Sequence, residues 1–210
     1  MKYIDKLDAE PEFLSKWKDQ DKMYQRKRAK WKRFCNPYKK DFHTFLVNEQ
    51  KSICCYCEQK ITIKESHLEH LLPQSLDTYS EKLFEYKNLL CSCQRELGKG
   101  EPRHCGNSKG SQILPITPLQ SDCEIKFTYT EDGYIEGVDD DAKETIRILQ
   151  LDIDKLNNLR ANAIEPFIID PITLDEISEE ERQQFVQSYL QIRDGKFNEF
   201  YTTIKYLFDN

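Results

Sequence analysis

The first fifty residues have a helical distribution of apolar positions. Residues 5–34 lack glycine and contain one proline, Pro11, at a position that suits the first turn of a helix. Their apolar stripe is irregular, so we predict one or two helices there, ended by the Asn36-Pro37 step. A further helix is predicted over residues 38–50. Its inward-facing side chains are Phe42, Phe45 and Leu46.

Alternating apolar and polar residues predict two β-hairpins. The first pairs residues 61–63 with residues 68–70. In the second, residues 124–129 form one strand, Asp132-Gly133 forms a tight turn, and residues 134–136 form the returning strand. These elements predict an α+β fold in which short hairpins are embedded in a mainly helical chain.

The other segments are predicted as one loop and several helices. Residues 83–90 could begin as a helix, whereas residues 94–112 hold four of the seven glycines and are predicted as a polar loop. Helical patterns then cover 142–149, 153–167 and 178 to the end.

Charge is distributed unevenly along the 210 residues, although the net charge is only −6. Residues 1–110 carry 22 Lys/Arg and 16 Asp/Glu, while residues 111–210 carry 9 and 21. This asymmetry suggests a polyanionic partner for the first half and a protein partner for the second. The hydrophobic content of the whole chain, 38%, indicates a folded protein.

The positive charge is concentrated in residues 16–40, which hold 11 basic and 2 acidic residues. The aromatic residues interleaved with them are Trp17, Tyr24, Trp31, Phe34 and Tyr38. Such a run is suited to phosphate contact in a nucleic acid, but it would equally suit a solvated basic helix face. Both interpretations stay open.

The eight cysteines favour metal binding over disulfides. We find no leader-like apolar stretch and no run of about 20 apolar residues, so we expect no membrane partner and a cytoplasmic location, where thiols stay reduced. Six of the eight cysteines lie between residues 54 and 105. Cys35 and Cys123 stand apart and are predicted to be ordinary buried thiols.

A structural zinc site is predicted from these six cysteines. The Cys54-x-x-Cys57 spacing forms a knuckle that points two sulfurs at one ion, and Cys93 and Cys105 are our choice for the second pair. Three residues could substitute because the spacing allows other registers. They are Cys91, Cys55 and His104.

Between the cysteines lies a second set of chemical groups. Adjacent strand residues point to opposite faces, so Glu69 could be a solvent-exposed acid beside a structural His70. The presence of Pro73, Asn88 and Asn107 nearby in the sequence favours a catalytic role for Glu69 and His70 instead. A neutral imidazole can serve as a base near pH 7, and carboxylate and amide oxygens suit Mg²⁺. This set fits one-metal phosphodiester cleavage.

These motifs together resemble the HNH endonuclease family. The matching residues are Cys54-x-x-Cys57, Glu69-His70-x-x-Pro73, Asn88-Leu89, and Cys93 followed by Cys105-Gly106-Asn107-x-Lys109. The resemblance implies a zinc-stabilised ββα-metal core that cleaves nucleic acid with Mg²⁺ or Mn²⁺. It differs from the usual family pattern in having Glu rather than Asp before the histidine and eleven residues between Cys93 and Cys105.

The HNH resemblance also implies a role for each residue of the set. His70 would be the general base, and Glu69 and Asn107 would bind the catalytic metal. Asn88 would brace the loop and orient the histidine, and Lys109 would contact phosphate near the scissile bond.

The order of segments further resembles the PtuB family, the HNH component of Septu-type anti-phage systems that is also found with retrons. The implied organisation is a basic helical lead (1–50), an HNH core (51–112) and a hairpin-plus-helical acidic region (113–210) that docks a partner. That partner would be a PtuA-like ATPase in a hetero-oligomeric defence complex. The alternative is a non-catalytic zinc module that binds nucleic acid or protein. A metallo-hydrolase of small molecules fits poorly with the basic first half.

Overall fold

The computed structural model describes residues 1–26, 30–75, 81–168 and 178–209, and the chain there is a mixture of helices and short strands. The helices are α1 (Glu12–Gln20), α2 (Lys22–Gln25), α3 (Tyr38–Glu49), α4 (Gly106–Lys109), α5 (Asp140–Leu149), α6 (Asp154–Ile164), α7 (Glu179–Leu190) and α8 (Tyr201–Phe208). The strands are β1 (His67–His70), β2 (Leu89–Ser92), β3 (Phe127–Tyr129) and β4 (Ile135–Gly137). The predicted mixture of helices and short strands is therefore confirmed.

The strand pairing in the cysteine region differs from the prediction. β1 pairs with β2 in antiparallel register, with His70 opposite Leu89 and His67 opposite Ser92. Residues 61–63 are not β1's partner, because the amide of Ile61 donates to the carbonyl of Ser52 and the chain turns from Thr62 onward. All four residues of β2 are buried. A strand covered on both faces needs no alternation of apolar and polar residues, so this pattern did not indicate β2 as a strand. Residues 83–90, which could begin as a helix, contain one 3-10 turn, Tyr86–Asn88, directly before β2.

The second half follows the prediction more closely. β3 and β4 form the expected antiparallel hairpin, and α5 begins where the Asp139 side chain accepts a hydrogen bond from the amide of Ala142 at 2.8 Å. The single helix expected from residue 178 onwards is instead two helices, α7 and α8. The break contains a turn with positive φ at Asp194 and Gly195, a conformation that does not continue a helix.

One continuous core positions the cysteine region. Its buried side chains run from Leu14 of α1 through Leu46 of α3 and Leu90 of β2 to Ile146 of α5 and Leu156 of α6. β1 and β2 are therefore held between helices on both sides. In the described ranges, no helix combines the length and apolarity that crossing a membrane requires.

Candidate functional site

Four cysteine sulfurs converge at one end of the β1–β2 hairpin. Cys54 and Cys57 come from the turn after α3, Cys93 follows β2, and Cys105 precedes α4. All four are buried and their sulfurs lie within 4.8 Å of one another. The sulfurs of Cys57 and Cys93 are 3.7 Å apart, close to the edge of about 3.8 Å that a tetrahedron with 2.3 Å Zn–S bonds would have. The cluster could hold a zinc ion.

The long segment between Cys93 and Cys105 is closed by one side chain. The Gln94 amide oxygen accepts from the backbone N–H of His104 at 2.9 Å, and its amide nitrogen donates to the carbonyl of Pro102, also at 2.9 Å. Gln94 therefore brings the two ends of the segment together. The eleven intervening residues do not prevent Cys93 and Cys105 from sharing one site.

The three substitute ligands lie outside the four-sulfur group. Cys55 and Cys91 are buried, and burial raises the pKa of both thiols well above its ordinary value, so they stay protonated. His104 lies beside the cluster, with Nδ1 3.2 Å from the sulfur of Cys105. Of the lone thiols, Cys123 is buried as expected, whereas Cys35 is exposed, contrary to the prediction.

Glu69 is buried on the face of β1 that looks toward α4. Its Oε1 accepts from the hydroxyl of Tyr56 at 3.2 Å and lies 3.0 Å from Nζ of Lys109, while its Oε2 lies 3.5 Å from Nε2 of His67. Burial opposes ionisation of this carboxyl. The hydrogen bond from His67 and the charge of Lys109 outweigh burial and hold its pKa below the ordinary value. Glu69 is therefore a carboxylate at neutral pH.

His70 is buried on the other face of β1 with both ring nitrogens engaged. Nε2 lies 3.0 Å from the carbonyl oxygen of Leu83, and Nδ1 lies 3.0 Å from the amide nitrogen of Gln74. The indole of Trp31 packs edge-on at 4.4 Å between ring centroids. Because a carbonyl only accepts, we assign the proton to Nε2 and the lone pair to Nδ1. Burial lowers the pKa of the His70 imidazole to about 4, so the ring is neutral.

Both neighbours on β1 are thus enclosed, although a plain strand would leave one of them outward. Glu69 is 7% exposed and His70 is 5% exposed. The strand is covered by α4 on one face and by Trp31 on the other. The solvent-exposed alternative for Glu69 is therefore wrong.

Asn88 joins the start of β2 to the segment after His70. Its side-chain oxygen accepts from the amide of Leu72 at 2.7 Å, and its side-chain nitrogen donates to the carbonyl of Lys82 at 3.0 Å. The backbone amide of Leu71 donates to the Asn88 carbonyl at 3.0 Å. These bonds fix the chain on both sides of the His70 ring.

Lys109 and Asn107 take positions that the sequence did not suggest. The Lys109 ammonium is enclosed, 1% exposed, and donates to the carbonyl of His70 at 2.9 Å while contacting Glu69. Its ammonium therefore faces protein groups in this structure, and the expected contact with phosphate stays a prediction. The Asn107 side-chain nitrogen donates to the carbonyl of Gln94 at 2.6 Å. Besides Lys109, α4 places Gly106 against the Glu69 carboxylate.

A basic groove of about 490 Å³ runs beside these residues. Its lining includes Trp31, which contacts His70, and His67, which contacts Glu69. Its cationic side chains are Lys39, Lys40, Lys64 and Arg95. Sequence reasoning missed His67, Lys64 and Arg95. The alternation His67-x-Glu69 on one strand was the signal that could have found the first of these.

The basic run over residues 16–40 divides between core and surface. Trp17 and Phe34 are buried in the core, so they cannot stack on bases, whereas Trp31 reaches the groove. Lys27 and Arg28 of that run lie outside the described residues.

Comparison with known proteins gives a partial match. No family model matches the chain. Over 87 residues the chain is 36% identical to the "Retron Vc95 putative HNH endonuclease" of Vibrio cholerae serotype O1 biovar El Tor. The match covers 41% of this chain and 42% of that protein, so the chain spans less than half of its relative's length. The similarity supports the HNH endonuclease resemblance and a nuclease function.

Proposed function

We propose that this protein is a metal-dependent HNH endonuclease that hydrolyses phosphodiester bonds in nucleic acid. The observation that carries the proposal is the geometry of β1, where an enclosed His70 imidazole, with Nε2 3.0 Å from the Leu83 carbonyl, is preceded on the other face by the enclosed Glu69 carboxyl group. The imidazole and the carboxyl group are neighbours on β1, and the basic groove reaches them through Trp31 and His67. The relative's name, which assigns HNH endonuclease activity to that protein, supports the same conclusion.

His70 acts as the general base through Nδ1. The Leu83 carbonyl holds the Nε2 proton and stabilises the imidazolium that forms when Nδ1 takes a proton from the attacking water. The Gln74 amide bonds to Nδ1 in the described structure, so it must move for a water to reach this nitrogen. Asn88 keeps the backbone around the ring in place throughout.

Glu69 is the carboxylate that would hold the catalytic divalent ion, with Mg²⁺ or Mn²⁺ as the expected metals. When bound, such an ion supplies positive charge at the scissile phosphate and the leaving oxygen. Lys109 holds Glu69 through Oε1 and leaves Oε2 directed at the space beside Gly106. We therefore assign Lys109 a positioning role.

The four-cysteine cluster would hold a structural Zn²⁺. All four positions of the tetrahedron are protein sulfurs, which leaves no position for water or substrate, and the cluster is buried. An ion there would fix the ends of α4 and β2 that carry the Glu69 surroundings. Zinc therefore supports the site and takes no part in the chemistry.

The basic groove would bind the nucleic-acid backbone. Among the described residues, its lining holds cationic side chains and no carboxylate. It meets the His70 ring at Trp31 and the Glu69 carboxylate at His67, so a backbone that follows the groove passes the reacting groups. Contacts of this kind are to phosphates and read no sequence.

We further propose that the nuclease is the cytoplasmic effector of an anti-phage defence complex, close to the PtuB components of Septu-type systems. The relative is named as a retron protein, and the order of segments, which resembles that of PtuB proteins, supports the same class. A PtuA-like ATPase would be the partner in a hetero-oligomer. Residues 113–210, which include most of the acidic half, would supply its docking surface.

The test is cleavage by the zinc-loaded protein, alone and co-purified with the product of its neighbouring gene. Plasmid, phage DNA and tRNA are incubated with Mg²⁺ or Mn²⁺, and His70→Ala is run in parallel. We expect metal-dependent cleavage that His70→Ala abolishes. Binding of nucleic acid without cleavage under every condition, including the complex, would instead establish the non-catalytic zinc module.

A further inference from the structure

The surroundings of Glu69 point to a second protein ligand for the divalent ion that is not Asn107. His67 and Glu69 are two residues apart on β1, so their side chains leave the same face of the strand. Nε2 of His67 and Oε2 of Glu69 are 3.5 Å apart. Two ligand atoms about 2.1 Å from one ion stand about 3.0 to 3.4 Å apart, depending on the angle, so the pair is within reach of a shared ion.

Gly106 provides the space for this pair. A Cβ atom at residue 106 would lie 2.5 Å from Oε2 of Glu69 and 2.8 Å from Nε2 of His67. Any side chain at this position would therefore occupy the place where the two ligand atoms meet. The next residue, Asn107, directs its side-chain nitrogen to the carbonyl of Gln94.

The remaining contacts of Glu69 leave one of its oxygens for an ion, next to Nε2 of His67. Tyr56 and Lys109 occupy Oε1 of Glu69, which leaves Oε2 directed at His67 and Gly106. The His67 side chain is 26% exposed and lines the basic groove. An ion at this point would be held by protein on one side and would face water and phosphate on the other.

We propose that His67 and Glu69 together form the divalent cation site, through one imidazole nitrogen and one carboxylate oxygen. An imidazole ligand favours first-row transition ions such as Mn²⁺ or Ni²⁺ over Mg²⁺, which prefers oxygen. The site therefore selects Mn²⁺ over Mg²⁺. The inference rests on the proposed nuclease function only for what the ion does, and the binding site itself can be tested without substrate.

The test measures Mn²⁺ binding to zinc-loaded protein by titration of the free-ion EPR signal, and records pulsed-EPR coupling to a directly bound ¹⁴N. The wild-type protein should show ¹⁴N coupling, and His67→Gln should lose it and bind Mn²⁺ at least about tenfold more weakly. His67→Asp should regain binding without the nitrogen coupling and shift the preference toward Mg²⁺. Asn107→Ala should retain both the affinity and the coupling. Zinc content and melting temperature confirm that each variant folds.

Several outcomes would overturn the inference. They are a wild-type protein without ¹⁴N coupling, an unchanged coupling or affinity in His67→Gln, or a loss of Mn²⁺ in Asn107→Ala alone. The nuclease function is judged separately. If the wild type binds Mn²⁺ through His67 but cleaves nothing, the function fails and the cation site stands. If the wild type cleaves nucleic acid while His67→Gln binds Mn²⁺ normally, the cation site fails and the nuclease function stands.

Discussion

Two buried polar clusters lie at the same hairpin, yet they are built on opposite principles. The cysteine cluster draws four sulfurs from three segments and is closed by protein on every side. The Glu69 cluster draws two coordinating atoms from one strand and opens on a basic groove. A closed set of four ligands stabilises a fold, and an incomplete set leaves room for a reaction. The comparison shows that a structural metal site and a catalytic one differ in how many coordination positions the protein leaves unfilled.

Helix α4 connects the two clusters. Cys105 belongs to the first, and the next residue, Gly106, faces the second. Lys109, at the other end of α4, binds both the Glu69 carboxylate and the His70 carbonyl. The cysteine cluster therefore fixes the position of α4, and α4 in turn fixes the surroundings of the Glu69 carboxylate.

The largest expected effect is the loss of a zinc ligand. Cys57→Ser should lower the zinc content. It should also lower the melting temperature, by on the order of 10 °C, because zinc binding and folding are coupled. Calorimetry and zinc analysis measure both quantities. Cys35→Ser, at an exposed thiol, is the matched control and should change neither. A normal zinc content in Cys57→Ser would place the ion elsewhere.

His70→Ala is expected to reduce cleavage by about a thousandfold while the zinc content and nucleic-acid affinity stay unchanged. The variant removes the base but no ligand of either cluster, and general bases contribute about 10² to 10⁴ in rate. Single-turnover cleavage and a filter-binding assay separate chemistry from binding. Cleavage at the wild-type rate would exclude His70 as the base.

Gly106→Ala should distinguish the two clusters most directly. The added methyl group meets the ends of two flexible side chains, Glu69 and His67, so they are displaced while the fold is kept. We expect Mn²⁺ affinity to fall by about tenfold and zinc to stay bound. Gly98→Ala is the control, since its Cβ would lie 3.5 Å from the nearest atom. Equal Mn²⁺ binding in both variants would contradict the assignment.

Neutralising the groove should have a smaller, salt-dependent effect. Lys64→Gln combined with Arg95→Gln is expected to weaken nucleic-acid binding by about three- to tenfold and to reduce the salt slope by about 2. Fluorescence anisotropy over a range of salt concentrations measures this. The exposed Lys143 of α5 provides the control, Lys143→Gln. An equal loss in the control would show that the effect is general charge and not the groove.

The smallest effect is expected for Gln74→Ala. It removes the amide that competes with water for Nδ1 of His70, so the cleavage rate should rise, by about twofold, which corresponds to about 0.5 kcal/mol, the lower end of the net strength of a neutral hydrogen bond. Single-turnover rates decide. A loss comparable to that of His70→Ala would mean that Gln74 takes part in the reaction.

Local signals in the sequence predicted the local elements well. Helix α3 and the β3–β4 hairpin follow from the Pro37 break and the Asp132-Gly133 turn, and the four converging cysteines are the ones chosen from their spacing. The partner of β1 could not be chosen in this way. Residues 61–63 show the alternation typical of a strand and β2 does not, and only the packing of the fold shows that β2 is the buried partner.

The site illustrates a second limit, which is angular. Neighbouring residues on a helix point about 100° apart, so a one-residue change of register decides whether Gly106 or Asn107 faces Glu69. The burial of Lys109 could not be predicted either. Lysine is rarely buried without a partner, and the sequence does not show that Glu69 is this partner. The sequence could not show these contacts, and the roles expected of Asn107 and Lys109 stay predictions.

The enclosure of Lys109 has a consequence for chemical footprinting. An amine that is 1% exposed cannot meet an acylating reagent unless α4 moves away from β1. The surface lysines of the groove, such as Lys40 and Lys64, react in the closed protein and provide an internal standard. The ratio of Lys109 to Lys64 modification, read by mass spectrometry, therefore reports how often this part of the molecule opens.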